Sequence, residues 1–476
     1  MVAMRLTVNL LGLLSTVVLA RLLTPQDFGL VALAGSAYTF FAMFGQLGFD
    51  IPLIQLQKAD RSHYDTAWTA NILVGVLVAI AMLSVGKLAA AYFQDARIEY
   101  IVYSFSLLSL AKGFENIGVV NFRKDLSFGG EFWYFVVPKL TSLIVGVAAA
   151  FILRTYWALV IGMIASQVGG LIYSHFSQPF RPRFSLNRFS ELFVFGKWIL
   201  ASKFLRFLTF NGIEIVVGRL QGPVAVGLFT MARKVSFIPS TEIAAPINRA
   251  LFPSFATISS DTARLRSAFR KTVAVTALLS FPSAFGILPL ADPLVYVAFG
   301  EQWLDAAPVL GVMAIVGVLY ATNNIVEPVL MARGALKPLV LAQAGYAALL
   351  LPAAIVLTSR FGALGAAYAL LASSLAALPL HFYAAHKVVG FSMWDLAKCV
   401  WRPLVAAALM AVLVEELKRV VVGSAEPTIA GLAALIVAGA AFYATALALL
   451  WLPSRNPESP ELLLINTVWR RFGRTR

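Results

Sequence analysis

A chain of 476 residues that is 60% hydrophobic and only 13% charged is no ordinary soluble domain, for which about half and about a quarter are usual. Its apolar runs reach the roughly 20 residues that cross a hydrocarbon core, and they are continuous rather than alternating, which excludes a β-barrel. The net charge of +15 lies between these runs, so it reads as membrane orientation and not as nucleic-acid binding.

In chain order, fourteen candidate spans lie near 3–22, 28–50, 67–93, 98–120, 133–153, 156–177, 193–217, 226–256, 272–296, 306–330, 338–358, 361–386, 396–417 and 428–452. Span 1, with Arg5 before it and Arg21 after it, is expected to be a retained helix and not a cleaved signal. About three quarters of the loop Lys and Arg fall on one set of alternating segments, which places both termini in the cytoplasm. The stretch 178–192, QPFRPRFSLNRFSEL, is the longest inner connection and reads as a cytoplasmic linker and hinge. The basic tail 454–476 is expected on the anionic inner leaflet.

Two stretches repeat. Arg21 to Ala34 reads RLLTPQDFGLVALA and Arg219 to Ala232 reads RLQGPVAVGLFTMA, with Arg, Leu, Pro, Gly, Leu and Ala all matched at an offset of 198 residues. Each copy is an outer turn in which proline opens a new helix. Asn116-Ile117 matches Asn324-Ile325, and Ala158-Leu159 matches Ala363-Leu364, at offsets of 208 and 205. The chain therefore reads as an N-lobe, 1–177, the linker, 178–192, a C-lobe in the same orientation, 193–388, two further spans, 389–453, and the tail. Parallel repeats of this kind build transporters whose site lies between the halves.

Polar residues form stripes at 100° per residue. They are Arg5, Asn9, Gly12 and Thr16 on span 1; Ser36, Thr39, Gln46 and Asp50 on span 2; Lys203, Arg206 and Glu214 on span 7; and Arg233, Ser236, Ser240, Thr241 and Asn248 on span 8. These spans are the equivalent pairs of the repeat, so their stripes are expected to face one central cavity. Most of the hydroxyls are expected to bond their own helix, and Arg5 and Asp50 lie near span ends, where charged groups snorkel. Lys112 and Glu115, three residues apart, are spaced to neutralise each other. Lys139, beside Pro138, reads equally as an interfacial group or as the mark of a kink. Lys203, Arg206 and Arg233 lie deep in apolar spans, where a charge costs about 2.5–3.5 kcal/mol or more, and are the foremost candidates for substrate contact. Glu214, Glu242 and Glu327, with Asp50, are candidates for ion pairing or coupling; Glu327 precedes Pro328, where a local break admits water.

No enzyme signature is present. The only cysteine, Cys399, excludes an intrachain disulfide, and His63, His175, His381 and His386 are scattered without metal-ligand company. No GxxxxGK[ST] pattern occurs. No cofactor, metal or nucleic-acid partner is expected.

The stretches LARLLTPQDFGLVALA, VGLFTMARKVSFIPSTEIAAPINRALFPSFA and FGALGAAYALLAS resemble the polysaccharide-transporter family of lipid-linked oligosaccharide flippases, in the multidrug/oligosaccharidyl-lipid/polysaccharide exporter superfamily. The resemblance runs from about 10 to 390 and rests on no catalytic fingerprint. It implies an all-α fold of two six-helix lobes in a V, with two extra C-terminal helices. It also implies transfer of an undecaprenyl-diphosphate-linked oligosaccharide from the inner to the outer leaflet of the bacterial plasma membrane, feeding exopolysaccharide, capsule or O-antigen synthesis. Membrane lipids, a polymerase and other polysaccharide-assembly proteins are the partners such a role implies. Relatives have a cationic cavity, which agrees with Lys203, Arg206 and Arg233; in the N-lobe the stripe is neutral apart from Arg5 and Asp50. The alternatives are a drug or small-molecule antiporter of the same superfamily, which calls for an acidic or aromatic cavity, and a membrane glycosyltransferase or polymerase, which calls for catalytic groups on a sizeable outer loop.

Overall fold

The computed structural model describes residues 2–45, 53, 60–125, 127–189, 196–238, 255, 257–421 and 426–452. Among these residues the chain is helical and contains no strand. The long helices are α1 (Val2–Leu22), α2 (Pro25–Gly45), α3 (Arg61–Phe93), α4 (Arg97–Gly113), α5 (Phe128–Leu153), α6 (Trp157–Ser177), α7 (Gly196–Ser236), α8 (Thr262–Phe299), α9 (Ala307–Asn323), α10 (Leu336–Val389), α11 (Met393–Val421) and α12 (Ile429–Trp451). Among the described residues, ten helical stretches are long and apolar enough to cross a membrane. Spans 7 and 8 share α7, which bends at Gly222 (φ 78°), and spans 11 and 12 share α10, which bends at Gly362 (φ 60°). Glycine takes such φ values without a Cβ clash.

Local chemistry sets several helix starts. Thr24 and Asp27 cap α2 reciprocally: Asp27 Oδ2 accepts from the Thr24 N–H at 2.9 Å, and Thr24 Oγ1 accepts from the Asp27 N–H at 3.4 Å, with Pro25 supplying the pre-set φ of a first helical residue. Asp60 caps α3 by accepting from the His63 N–H at 3.2 Å. Bonding to His63 and Ser62 holds its carboxyl down at about 2. Asp261 caps α8 through the N–H groups of Ala263 and Arg264, both at 3.0 Å.

Two compact units divide the chain, Met1–Thr230 and Met231–Arg476. The first unit pairs α3 with α4 and α5 with α6. It holds more than the first repeat, because α2 packs along the first limb of α7. Phe40 meets Phe207 at 5.3 Å between ring centroids, Ser36 meets Glu214 at 2.9 Å, and Leu33 lies over Gly218. At the end of this antiparallel run the two repeated turns cross. A Cβ on Gly29 would fall 1.7 Å from the carbonyl oxygen of Pro223, and one on Gly227 would fall 1.9 Å from that of Pro25. Both lie far inside van der Waals contact, so only hydrogen fits at either position.

The 178–188 stretch is fastened to the first turns of α3. The N–H of Arg183 donates to Asp65 Oδ1 at 2.8 Å, that of Ser185 to Thr69 Oγ1 at 3.0 Å, and that of Arg188 to Thr66 Oγ1 at 3.3 Å. Asn116 Nδ2 donates to the Phe180 carbonyl at 2.7 Å. Phe180 packs on Tyr64, and Phe184 packs on Trp68. The segment expected to serve as a hinge is therefore a strap as far as Arg188.

The second unit is built around α8, which carries Pro282, Pro289 and Pro293 within its length. A proline removes the N–H that would bond the carbonyl four residues earlier. Pro282 thereby frees the Leu278 carbonyl, and Pro293 frees that of Pro289. Tyr443 Oη of α12 donates to Leu278 O at 2.8 Å, and Lys418 Nζ of α11 donates to Pro289 O at 2.8 Å. Around these bonds Leu290, Ala406, Ala407, Met410, Val414, Leu435 and Tyr443 form a buried cluster. At the other end of α8, Phe269, Phe382 and Phe391 pack together, with ring centroids 4.8 Å apart for Phe269 and Phe391. Nearby, Arg266 pairs with Asp395 at 2.7 Å.

Candidate functional site

The striped hydroxyls bond mainly to their own helices. Thr16 donates to Gly12 O at 2.8 Å, Thr39 to Gly35 O at 2.8 Å and Ser236 to Arg233 O at 3.0 Å, whereas the single Ser36 proton has both Ala32 O at 3.2 Å and Glu214 Oε2 at 2.9 Å within reach. Charge and amide groups are therefore the distinctive part of the stripes. In the first unit Arg5 and Asn9 on α1 and Lys203 on α7 are half-buried, while Arg206 on α7 is exposed. The Arg206 guanidinium lies 5.9 Å from the centroid of the Phe210 ring, an arrangement that keeps the planar cation accessible on one face. Arg233 is half-buried in the second unit.

Glu214 behaves differently from these cations. It is 4% exposed, and its Oε2 accepts from Ser36 Oγ at 2.9 Å and from Asn211 Nδ2 at 3.2 Å. A buried carboxylate needs such donors, and here they tie α2 to α7. Of the predicted site residues, the structure brings Ser36 and Glu214 into direct contact. Glu327 is half-buried in the short helix Val326–Ala332, just past the end of α9 at Asn323. The break between the two helices falls at Asn324-Ile325, and Glu327 and Pro328 lie in the first turn of the short helix. Gln46, Asp50, Glu242 and Asn248 lie outside the described residues.

Lys112 and Glu115 pair at 2.6 Å. Sequence spacing anticipates that pair but not its surroundings. Glu115 Oε2 also accepts from Tyr134 Oη of α5 at 2.8 Å, and Oε1 accepts from Gln167 Nε2 of α6 at 2.7 Å. The available signal was Gln167, a lone amide in the apolar run WALVIGMIASQVGGLIY, where an unpaired amide would be costly. Among the described residues no three His, Cys, Asp or Glu side chains gather to hold a metal.

Among the described residues, long apolar helices with charged side chains kept in them are those of a multi-pass membrane protein. The fold is that of the MurJ and MATE transporters. The structure of lipid II flippase MurJ in an inward closed conformation matches with a TM-score of 0.74, over 95% of this chain and 99% of that one, at 14% identity. An inward-facing multidrug resistance MATE family transporter of the MOP superfamily matches with a TM-score of 0.60, over 81% of this chain and 95% of that one, also at 14% identity. The chain belongs to the polysaccharide biosynthesis protein family, whose model matches residues 18–308. It is 24% identical to the lipopolysaccharide biosynthesis protein WzxC of Escherichia coli K12, over 83% of this chain and 81% of the relative. It is 28% identical to the succinoglycan biosynthesis transport protein ExoT of Rhizobium meliloti 1021, over 63% and 61%. By name ExoT is a transport protein, MurJ a flippase and the MATE protein a transporter.

Proposed function

We propose that this chain flips an undecaprenyl-diphosphate-linked oligosaccharide from the cytoplasmic to the outer leaflet of the inner membrane, for assembly of an exopolysaccharide, capsule or O-antigen. Both termini lie in the cytoplasm, and the lobes, 1–177 and 193–388, alternate access to a cavity lined by Arg5, Asn9, Lys203, Arg206 and Arg233. The lipid stays in the bilayer, the cations compensate the diphosphate, and the amides meet the sugars. Outward movement of negative charge is favoured by an inside-negative potential, by roughly 2.3 kcal/mol per charge per 100 mV.

The observation that carries this reading is Arg206: an exposed guanidinium on an aromatic ring in the apolar stretch Lys203–Ser236, in a chain of the polysaccharide biosynthesis family. A cation kept there at a cost of about 2.5–3.5 kcal/mol or more calls for an anionic ligand. The test is polymer export in a strain lacking the chromosomal copy. Arg206→Ala and Arg233→Ala should cut export strongly at normal membrane levels and leave lipid-linked oligosaccharide on the inner leaflet. Lysine at either position should restore part of the activity, since it keeps the charge without the planar fork. Well-expressed alanine variants that export normally would refute the cationic-site reading.

A further inference from the structure

Resting on the reading above, we propose that Lys112 is a second diphosphate-binding cation, supplied by the first six helices and held ready by a Glu115–Tyr134–Gln167 bracket. The sequence alone made it one half of a self-neutralised pair. The geometry gives the two partners different standing. Glu115 is enclosed, with 11% of its side chain exposed, whereas 56% of the Lys112 side chain is open. That side chain ends on Glu115, just past the end of α4, whose carboxylate also takes Tyr134 of α5 and Gln167 of α6. Protein on several sides with more than half of the side chain open describes a recess.

The hydrogen-bond inventory shows which partner can be released. Glu115 accepts three donors: Lys112 Nζ at 2.6 Å, Tyr134 Oη at 2.8 Å and Gln167 Nε2 at 2.7 Å. Removing Lys112 leaves the carboxylate with one neutral donor on each oxygen. Lys112, for its part, has three N–H donors and one strong acceptor, so it can turn toward an arriving anion while its partner stays satisfied.

The ligand class follows from the charge. Sugar hydroxyls are met by amides and hydroxyls without an ammonium, whereas a phosphate oxygen takes a charge-assisted bond from one. Glu115 also tempers the site. A bare lysine would hold a diphosphate tightly, whereas one shared with a carboxylate binds it less tightly, as a transporter that must let go requires. On the orientation expected from the loop charges, Lys112 lies one residue from the cytoplasmic end of α4, on the side where the substrate enters.

The experiment uses the full-length protein in nanodiscs. Binding of undecaprenyl diphosphate, of phosphatidylglycerol and of inorganic pyrophosphate is measured for wild type, Lys112→Ala, Lys112→Arg, Glu115→Gln and Arg206→Ala, with thermal stability checked for each. Lys112→Ala should weaken undecaprenyl diphosphate binding by about ten- to a hundred-fold, the range for a hydrogen bond to a charged group, and Lys112→Arg should recover part of it. Glu115→Gln should tighten binding and slow export, an opposite-sign effect that a merely structural pair would not produce. The proposal fails if Arg206→Ala weakens binding while Lys112→Ala and Glu115→Gln do not change it, and the flippase reading then survives. Wild type that ignores undecaprenyl diphosphate overturns both. Equal losses for phosphatidylglycerol would reassign Lys112 to a lipid headgroup, and loss for pyrophosphate alone would reassign it to a free anion.

Discussion

Tyr443 donates its hydroxyl proton to the carbonyl of Leu278, the very carbonyl that Pro282 strips of its helical partner. The bond joins α12 to a defect in α8, so its worth depends on that defect. Tyr443→Phe should destabilise the folded protein by about 1–3 kcal/mol, the cost of leaving a buried acceptor unmet. In a Pro282→Ala background the helix can supply its own N–H, and the same tyrosine substitution should matter much less. A double-mutant cycle on thermal unfolding in detergent measures the coupling; purely additive effects would mean that Tyr443 merely packs.

Gly29 and Gly227 leave no room for a side chain. Alanine at either position forces α2 and the second limb of α7 apart, with an overpacking cost of about 1–3 kcal/mol or more. The double variant Gly29→Ala/Gly227→Ala should be less damaging than the sum, because the first methyl already opens the crossing that the second needs. Melting temperatures of the three variants decide this.

Asp65 is 7% exposed and its carboxylate accepts the N–H of Arg183. Asp65→Ala should loosen the 178–188 strap and expose Arg183 and Arg188 to trypsin. Limited proteolysis followed by mass spectrometry should show faster cleavage after these arginines than in wild type, while Arg123 serves as an internal reference site. Unchanged cleavage would mean that the aromatic contacts of Phe180 and Phe184 suffice to hold the strap.

Glu214 accepts from Ser36 and Asn211, so its shape and acceptor capacity are what the α2–α7 contact uses. Glu214→Gln retains an acceptor oxygen and should fold near normally. Glu214→Leu removes the acceptor shared by Ser36 and Asn211 and leaves Ser36 only its own-helix carbonyl, so it should lower the melting temperature. Export by the glutamine variant separates a clasp from a coupling group: activity near wild type identifies a clasp, and a folded but inactive protein identifies coupling.

Much of the fold was legible because membrane burial writes itself as composition. Apolar runs, loop cations and the repeated RLLTP and RLQGP turns are linear signals. The candidate site was legible only as separate stripes. That Ser36 would meet Glu214, or that Tyr134 and Gln167 would converge on Glu115, depends on helix pairing and rotation, which one sequence does not encode locally. The strap was invisible for a different reason: its donors are backbone N–H groups, which every residue but proline has. In retrospect the acceptors were visible, since Asp65, Thr66 and Thr69 form a polar cluster in the buried first turns of α3. The proline carbonyls of α8 needed both facts at once, a defect readable from sequence and a donor more than a hundred residues away.

The crossing of the two repeated turns also says something about ancestry. Gly29 meets Pro223 while Gly227 meets Pro25, so each glycine touches the proline belonging to the other copy. Such a contact is isologous: between separate chains, two identical molecules related by a two-fold axis make it. A single-repeat ancestor carrying the same glycine four residues after the same proline would have met itself through this turn as a homodimer. Within one chain the same contact is intramolecular and independent of concentration. The two copies meet alike but start their helices differently, one with the Thr24–Asp27 cap and the other with the left-handed glycine at 222.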